Sequence, residues 1–220
     1  MDRSFSHTLK ENNQDVWESI MTHPFVVDMG RGTLSDERLS RFIAQDYQYL
    51  KDFFRVLAVA AAKAPTNEWR AIFTAHAQNV VAVERQLHLK IAPLLDVSVD
   101  ELQTIEPLPI TIAYTDHLLR IAWTESFEAI VAAVLPCYWT YREIGIRLGD
   151  LGLPDHPLLR DWIETYRGPL YGQSVEEVLG IADALTLNPV CHMAFERSLR
   201  YERLFWSQGY GLNESGFLMD

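Results

Sequence analysis

The chain has few of the residues and segments that mark secreted or membrane proteins. It contains only two cysteines, Cys137 and Cys191, among 220 residues, which is far too few for a disulfide-stabilised scaffold. No apolar run approaches the roughly 20 residues that a membrane-spanning helix needs, and the first residues lack the apolar core of a signal peptide. We therefore expect a cytoplasmic protein that does not act at a membrane.

Basic residues are scarce relative to acidic ones. The sequence has 19 Lys and Arg against 30 Asp and Glu, giving a formal net charge of −11. Nucleic acids and anionic membranes both require a basic face, so neither is an expected partner. A phosphate-binding glycine loop and a dinucleotide fingerprint are also absent. With 48% apolar residues, the composition is that of an ordinary globular protein.

Helical periodicity dominates the sequence, and no segment has the pattern of a convincing strand. The spacing of apolar residues predicts about eight helices, over residues 4–22, 36–64, 67–91, 109–124, 126–149, 156–167, 174–186 and 189–207. Connectors are predicted over 23–35 and 93–110, and "GPLYGQSV" (168–175) is predicted to separate two helices. Ser35 is expected to cap the second helix, with Asp36 and Glu37 in its first turn. Because no repeat or linker divides the chain, we predict a single all-α domain over residues 1–220, a helical bundle with an inner cavity for a ligand.

The segment "AVLPCYWTYREIG" (133–145) combines a buried-helix pattern with an internal proline. Pro136 costs a helix about 3 kcal/mol because it lacks a backbone donor and crowds the preceding turn. Cys137 follows directly, and Tyr141 lies four residues later on the same helix face. Two interpretations remain open: an inert thiol in the core, or a reactive cysteine set by its neighbours.

Two carboxylic acids interrupt otherwise apolar or aromatic helix faces. Asp46 shares a face with Tyr49 in "FIAQDYQYLKDFF", and Glu202 lies between Tyr201 and the aromatic pair at 205–206. Each acid either sits at a solvated helix edge or points inward, where a bare carboxylate is very costly. An inward Glu202 would have a raised pKa, which suits acid–base chemistry near neutral pH.

Further candidates have a structural interpretation and a functional one. Glu84 and His88 form an E-x-x-x-H pair at helical spacing, which is half of a carboxylate–histidine metal site in a helical bundle or a structural hydrogen bond. Tyr114 and Tyr166 are candidate ligand-binding residues, or core tyrosines with the hydroxyl at the edge.

Five segments in a fixed order give a more specific signal. They are "FIAQDYQYL" with "AAAKAP", the E-x-x-x-H of "VERQLH", "LPCYWTYREIG", "WIETY" and "YERLFW". Together they resemble the cysteine-containing class of the TenA family of thiaminase II enzymes, and the resemblance covers almost the whole chain. It implies the all-α haem-oxygenase-like fold.

The resemblance also implies a reaction and a role for each matching residue. The reaction is the conversion of aminomethylpyrimidine (4-amino-5-aminomethyl-2-methylpyrimidine) to hydroxymethylpyrimidine, with hydrolysis of thiamin, in thiamin salvage. Cys137 would be the nucleophile and Glu202 the acid–base residue. The substrate would be bound by Asp46, Tyr49, Tyr114, Tyr141 and Tyr166. The resemblance implies no metal or organic cofactor, and a homotetramer.

Two other classes of protein remain open from the sequence. One is a non-catalytic protein on the same fold that binds a pyrimidine without converting it. The other is a helical-bundle di-metal oxidase, for which Glu84, His88 and Glu143 would be the first ligands.

Overall fold

The computed structural model describes residues 4–95 and 104–211, and within helix α5 it describes the side chains up to residue 82. All regular structure in these ranges is helical, which confirms the all-α prediction. The helices are α1 (Phe5–Glu11), α2 (Gln14–Met21), α3 (Pro24–Arg31), α4 (Asp36–Lys63), α5 (Asn67–Leu95), α6 (Pro109–Thr124), α7 (Phe127–Leu151), α8 (Pro157–Arg167), α9 (Pro169–Asp183) and α10 (Pro189–Tyr210). None of the described helices is long and apolar enough to cross a bilayer.

The predicted boundaries are wrong at two prolines. The connector predicted over 23–35 contains α3, which begins at Pro24 and ends at Gly32 with a left-handed φ of 68°. The "GPLYGQSV" segment does not separate helices, because α9 already begins at Pro169. Proline at the first helical position loses no hydrogen bond, so it starts a helix as readily as it ends one. The predicted first helix is also divided, into α1 and α2.

Contacts within the chain divide it into two compact units, which are described separately. Unit 1 comprises residues 1–34 and 128–206, and unit 2 comprises residues 35–127 and 207–220. The single domain over residues 1–220 stays a prediction.

Unit 1 is built around the first half of α7. Residues 129–135 form an unbroken apolar run, and none of them is more than 1% exposed. A helix that is apolar on every side must be buried on every side. At the end of α1, the Lys10 ammonium lies 4.2 Å and 4.7 Å from the ring centroids of Trp17 and Trp139. It also lies 3.8 Å from the Glu143 carboxylate, so one cation links α1, α2 and α7.

The junction between α8 and α9 is held directly against α7. The Arg142 guanidinium donates hydrogen bonds to the carbonyls of Tyr166 (3.4 Å), Arg167 and Gly168 (3.0 Å). The Tyr166 and Arg167 carbonyls belong to the last turn of α8, and a cation favours the negative end of a helix. The Gly168 carbonyl also accepts the first hydrogen bond of α9, from the Gly172 N–H at 3.0 Å. One turn further along α7, a Cβ on Gly145 would lie 2.7 Å from the Arg167 nitrogen and 2.8 Å from the Tyr166 carbonyl carbon. Only glycine permits this approach.

Unit 2 begins as the sequence predicts. The Ser35 hydroxyl accepts a hydrogen bond from the Arg38 backbone N–H at 3.4 Å, with Asp36 and Glu37 in the first turn of α4. The ring of Phe127 stacks on Trp69 of α5, with centroids 5.8 Å apart.

We predict that Gly145→Ala destabilises the protein by about 1–3 kcal/mol, because the new methyl group meets backbone atoms that cannot rotate away. Gly180→Ala is the matched control, since a Cβ at this position of α9 meets no atom within 4 Å. There the lower entropy of the unfolded chain should give a gain of about 0.5–1 kcal/mol. Urea unfolding of the two variants measures both effects, and equal stabilities would contradict the close approach at Gly145.

Candidate active site

The predicted nucleophile lies at the proline in α7. Cys137 is half-buried, and neither it nor the buried Cys191 is in a disulfide. Pro136 has no N–H, so the carbonyl four residues earlier loses its helical donor. The Thr140 hydroxyl donates to the Pro136 carbonyl at 2.8 Å, which adds a side-chain bond to this turn.

Tyr141 and Tyr166, two of the predicted substrate-binding residues, meet in an aromatic cluster of unit 1. Their ring centroids are 4.9 Å apart and the ring planes are inclined at 60°, an edge-on arrangement. The Tyr141 ring is also 5.3 Å from Trp206 and 5.7 Å from Trp162, and the Trp162 ring is 4.3 Å from Tyr166. Offset and edge-on pairs of this kind give a rigid aromatic wall.

Glu202 is buried in the same unit, with 2% of its surface exposed. It lies one turn before Trp206 on α10, so the inward orientation is correct and the solvated alternative is wrong. The Tyr171 phenol lies near both Glu202 and the Cys137 thiol. Burial raises the pKa of Tyr171 well above its usual range, and nearby groups add to this effect, in the order Cys137, Tyr166, Tyr138 and Glu202. Cys137 and Glu202 therefore both lie within electrostatic reach of one phenol.

The remaining predicted residues form a second group, in unit 2. Tyr49 of α4 stacks on Phe53, with centroids 5.3 Å apart at 22°. It also contacts Tyr114 of α6 at 5.1 Å. Asp46 lies one helical turn before Tyr49, and Asp46 is buried, with 8% of its surface exposed. The structure thus brings Tyr49 and Tyr114 together, with Asp46 one turn away from Tyr49 on α4. The convergence of both groups on one cavity stays a prediction.

Burial changes the acidity of Asp46. Desolvation raises its pKa from 3.8 to about 7, since a carboxylate is disfavoured away from water. Among the described side chains, burial is the cause of this shift in the pKa. The carboxyl group therefore exists in both protonation states near neutral pH.

Two glutamines that the sequence did not single out hold the start of α6: Gln45 of α4 and Gln208 of α10. The Gln45 side-chain oxygen accepts hydrogen bonds from the Leu108 N–H at 2.8 Å and the Thr111 hydroxyl at 2.7 Å. The Gln208 oxygen accepts from the Ile110 N–H at 3.2 Å, and its amide donates to Thr111 at 2.9 Å. These bonds satisfy backbone N–H groups at the start of α6, where Leu108 provides no side-chain cap.

A shallow groove on unit 2 is separate from these groups. Its volume is about 570 Å³, and its lining includes none of the predicted site residues; it is formed by Asp36, Glu37, Ser40, Arg41, Ala44, Gln45, Ile105, Glu106 and Leu108.

The predicted metal ligands are only partly described. The side chains of Glu84 and His88 lie outside the described residues. Glu143 is described and lies 3.8 Å from the Lys10 ammonium. Among the described side chains, no three His, Cys, Asp or Glu residues are grouped as metal ligands would be.

Comparison with known structures defines the class of protein first. A domain from Shewanella denitrificans OS217, described as having a heme oxygenase-like fold, matches with a TM-score of 0.73 at 16% identity, covering 98% of this chain and 97% of that one. The TenA homologue from P. horikoshii OT3 matches with a TM-score of 0.89 at 27% identity, covering 96% and 100%. The fold is the all-α haem-oxygenase-like fold.

Sequence comparison then gives the family. Residues 10–212 match the TENA/THI-4/PQQC family. The chain is 35% identical over 212 residues to the aminopyrimidine aminohydrolase of Bacillus subtilis (strain 168), covering 94% of this chain and 89% of the relative. The chain belongs to the TENA/THI-4/PQQC family, which confirms the resemblance read from its motifs.

We predict that Asp46→Asn removes a pH-dependent loss of stability. Between pH 4 and 7 the unfolded chain releases the Asp46 proton while the folded chain retains it, so wild-type stability falls as pH rises through this window. With a pKa of about 7 in place of 3.8, the loss amounts to about 4 kcal/mol at pH 7 and above. The variant should therefore gain stability over the wild type as pH rises.

Urea unfolding at pH 4.5, 6 and 7.5 measures this difference. Asp150→Asn is the control, because Asp150 is an exposed aspartate on α7 and its variant should follow the wild-type curve. A constant difference between Asp46→Asn and the wild type at all three pH values would contradict the raised pKa.

Proposed function

We propose that this protein is a thiaminase II-type hydrolase. It converts aminomethylpyrimidine to hydroxymethylpyrimidine with release of ammonia, and it also hydrolyses thiamin, in thiamin salvage. The proposal is supported by membership of the TENA/THI-4/PQQC family and by relatives named aminopyrimidine aminohydrolase, including those of Bacillus subtilis and Helicobacter pylori.

One structural observation carries the chemical part of the proposal. A half-buried thiol and a fully buried carboxyl group, Cys137 and Glu202, both lie within electrostatic reach of the Tyr171 phenol. A nucleophile and an acid–base group within one aromatic-walled cluster suit covalent catalysis on a flat heterocycle.

Cys137 acts as the nucleophile. Its thiolate forms a bond to a carbon of the aminopyrimidine ring, and the added electron pair is taken up by a ring nitrogen that gains a proton. Loss of aromaticity lets the C–N bond at the exocyclic methylene break, and the amine leaves. Water then adds to the methylene carbon, the C–S bond breaks and the aromatic ring reforms. One difficult displacement becomes two easier steps.

Glu202 and Asp46 act on protons. Glu202 donates a proton to the leaving amine and then accepts one from the attacking water, which requires a carboxyl group whose desolvation favours the neutral form. Asp46, with a pKa of about 7, hydrogen-bonds the ring nitrogen or amino group of the pyrimidine. Tyr49, Tyr114, Tyr141 and Tyr166 pack against the ring and supply hydroxyl groups.

The proposed protein works as a homotetramer in the cytoplasm, where the Cys137 thiol stays reduced. Exposed apolar side chains support an assembly, since Trp123 is 68% and Leu170 82% exposed and exposed apolar groups often mark contacts between proteins.

We predict that Cys137→Ser lowers turnover of aminomethylpyrimidine at least about 100-fold, because a hydroxyl is a much weaker nucleophile than a thiolate. Binding of the pyrimidine, measured by calorimetry, should change by less than about threefold, since the side chain keeps nearly the same shape. Cys191→Ala is the control: Cys191 is a buried cysteine at the start of α10, and its replacement should leave turnover at the wild-type level.

The same experiment separates the alternatives. A binding protein would take up the pyrimidine and release no hydroxymethylpyrimidine from wild type or variant. A di-metal oxidase would carry stoichiometric iron or manganese in metal analysis and would be insensitive to Cys137→Ser.

We predict that Glu202→Gln lowers turnover about 100-fold or more, because glutamine has the shape of glutamate and transfers no proton. Glu196→Gln on the same helix is the matched control: its carboxylate is half exposed and lies 3.2 Å from the Arg200 guanidinium, so turnover should remain unchanged. Steady-state kinetics of both variants, with unfolding curves to verify the fold, measures the effect; equal loss in the two variants would contradict the assigned role.

A further inference from the structure

Tyr171 touches the turn that carries the proposed nucleophile. It lies in the first turn of α9, and its hydroxyl donates to the backbone carbonyls of Cys137 at 3.3 Å and Tyr138 at 3.2 Å. Its ring packs edge-on against Tyr166, with centroids 4.8 Å apart at 83°. A single phenol therefore links the turn of α7 that holds the thiol to the aromatic cluster.

This turn needs an external support. Pro136 removes one helical donor and crowds the preceding turn, which weakens the α7 ladder beside Cys137. Small displacements of a reacting group are costly, since a misplacement of about 1 Å can reduce the rate about 100-fold. A donor from another helix that binds the carbonyls just after the proline restrains the turn that follows the weakened one.

The support is reciprocal. Arg142 of α7 holds the carbonyls of residues 166–168, which lead directly into α9 and Tyr171. The close fit extends to Gly172, where a Cβ would lie 2.8 Å from the Arg142 guanidinium carbon. Arg142 thus fixes the start of α9. In turn, Tyr171 of α9 fixes the turn of α7 that lies about one helical turn before Arg142.

We propose that Tyr171 is a positioning residue for Cys137: its hydroxyl, bound to the carbonyls of residues 137 and 138, holds the thiol in the orientation needed to attack the substrate ring. The catalytic consequence rests on the proposed function, whereas the restraint on the turn does not. Tyr171 itself forms no bond to the substrate in this role, so its loss should lower kcat and leave KM nearly unchanged.

The test is Tyr171→Phe, which removes one hydroxyl and keeps the ring that packs against Tyr166. We expect kcat for aminomethylpyrimidine to fall about tenfold, with KM changed by less than about twofold. Hydrogen exchange of the Tyr141 and Arg142 amides, which lie at helical spacing from the two carbonyls, should become about three- to tenfold faster. Thermal unfolding verifies that the variant is folded.

Tyr210→Phe is the matched control, because it also removes one tyrosine hydroxyl and keeps the ring that lies 3.6 Å from the Arg38 guanidinium. It should leave kcat and the exchange of the α7 amides at wild-type values.

Each other result counts against the proposal or against its premise. Unchanged exchange at residues 141 and 142 overturns the restraint, whatever the activity. Faster exchange with unchanged kcat overturns the positioning role, and so does an equal fall of kcat in Tyr210→Phe. A wild type that converts neither aminomethylpyrimidine nor thiamin overturns the proposed function and the catalytic role of Tyr171 with it, while the exchange data still decide whether the hydroxyl holds the turn.

Discussion

The contact between one guanidinium and three backbone carbonyls holds the aromatic cluster of unit 1 in place. Arg142 binds the carbonyls of residues 166–168 at the point where α8 ends and α9 begins. Tyr166 lies on one side of this junction and Tyr171 on the other, so both rings take their positions from it. All three contacts are made by one nitrogen of the guanidinium, Nη1. The chemistry proposed for Cys137 therefore depends on a residue that does not touch the substrate.

Buried acids are the second constraint on this molecule. Asp46 and Glu202 are 8% and 2% exposed, and each lies one helical turn before an aromatic residue, Tyr49 and Trp206 respectively. A carboxyl group in such a place costs free energy of folding. Acids with strongly perturbed pKa values are concentrated at functional sites. Asp46 of unit 2, whose pKa burial raises to about 7, is an acid of this kind.

Local sequence signals predicted the fold well and the site unevenly. The Ser35 cap and the long periodic helices depend on neighbouring residues, so the sequence revealed them. Pro24 and Pro169 were misread because proline begins helices as well as ending them. The orientation of Glu202 could not be derived from its neighbours, since aromatic residues flank it on the chain as well as in space. The W-x-x-x-Y spacing of "WIETY" places Trp162 on the same helix face as Tyr166, so the sequence could have indicated Trp162 as a member of the site. The contacts of Arg142, Tyr171 and Gln45 join distant parts of the chain and therefore leave no local pattern.

The start of α6 is capped by side chains from distant parts of the sequence, and this has a consequence for folding during translation. The N–H groups that begin α6 are satisfied by side chains 63 and 98 positions away in sequence, those of Gln45 and Gln208. Gln208 is translated 98 residues after the Ile110 N–H that it binds. Until then the start of α6 lacks one of its acceptors, and long-range contacts of this kind form late. The polar network of unit 2 can therefore be completed only after α10 has been translated.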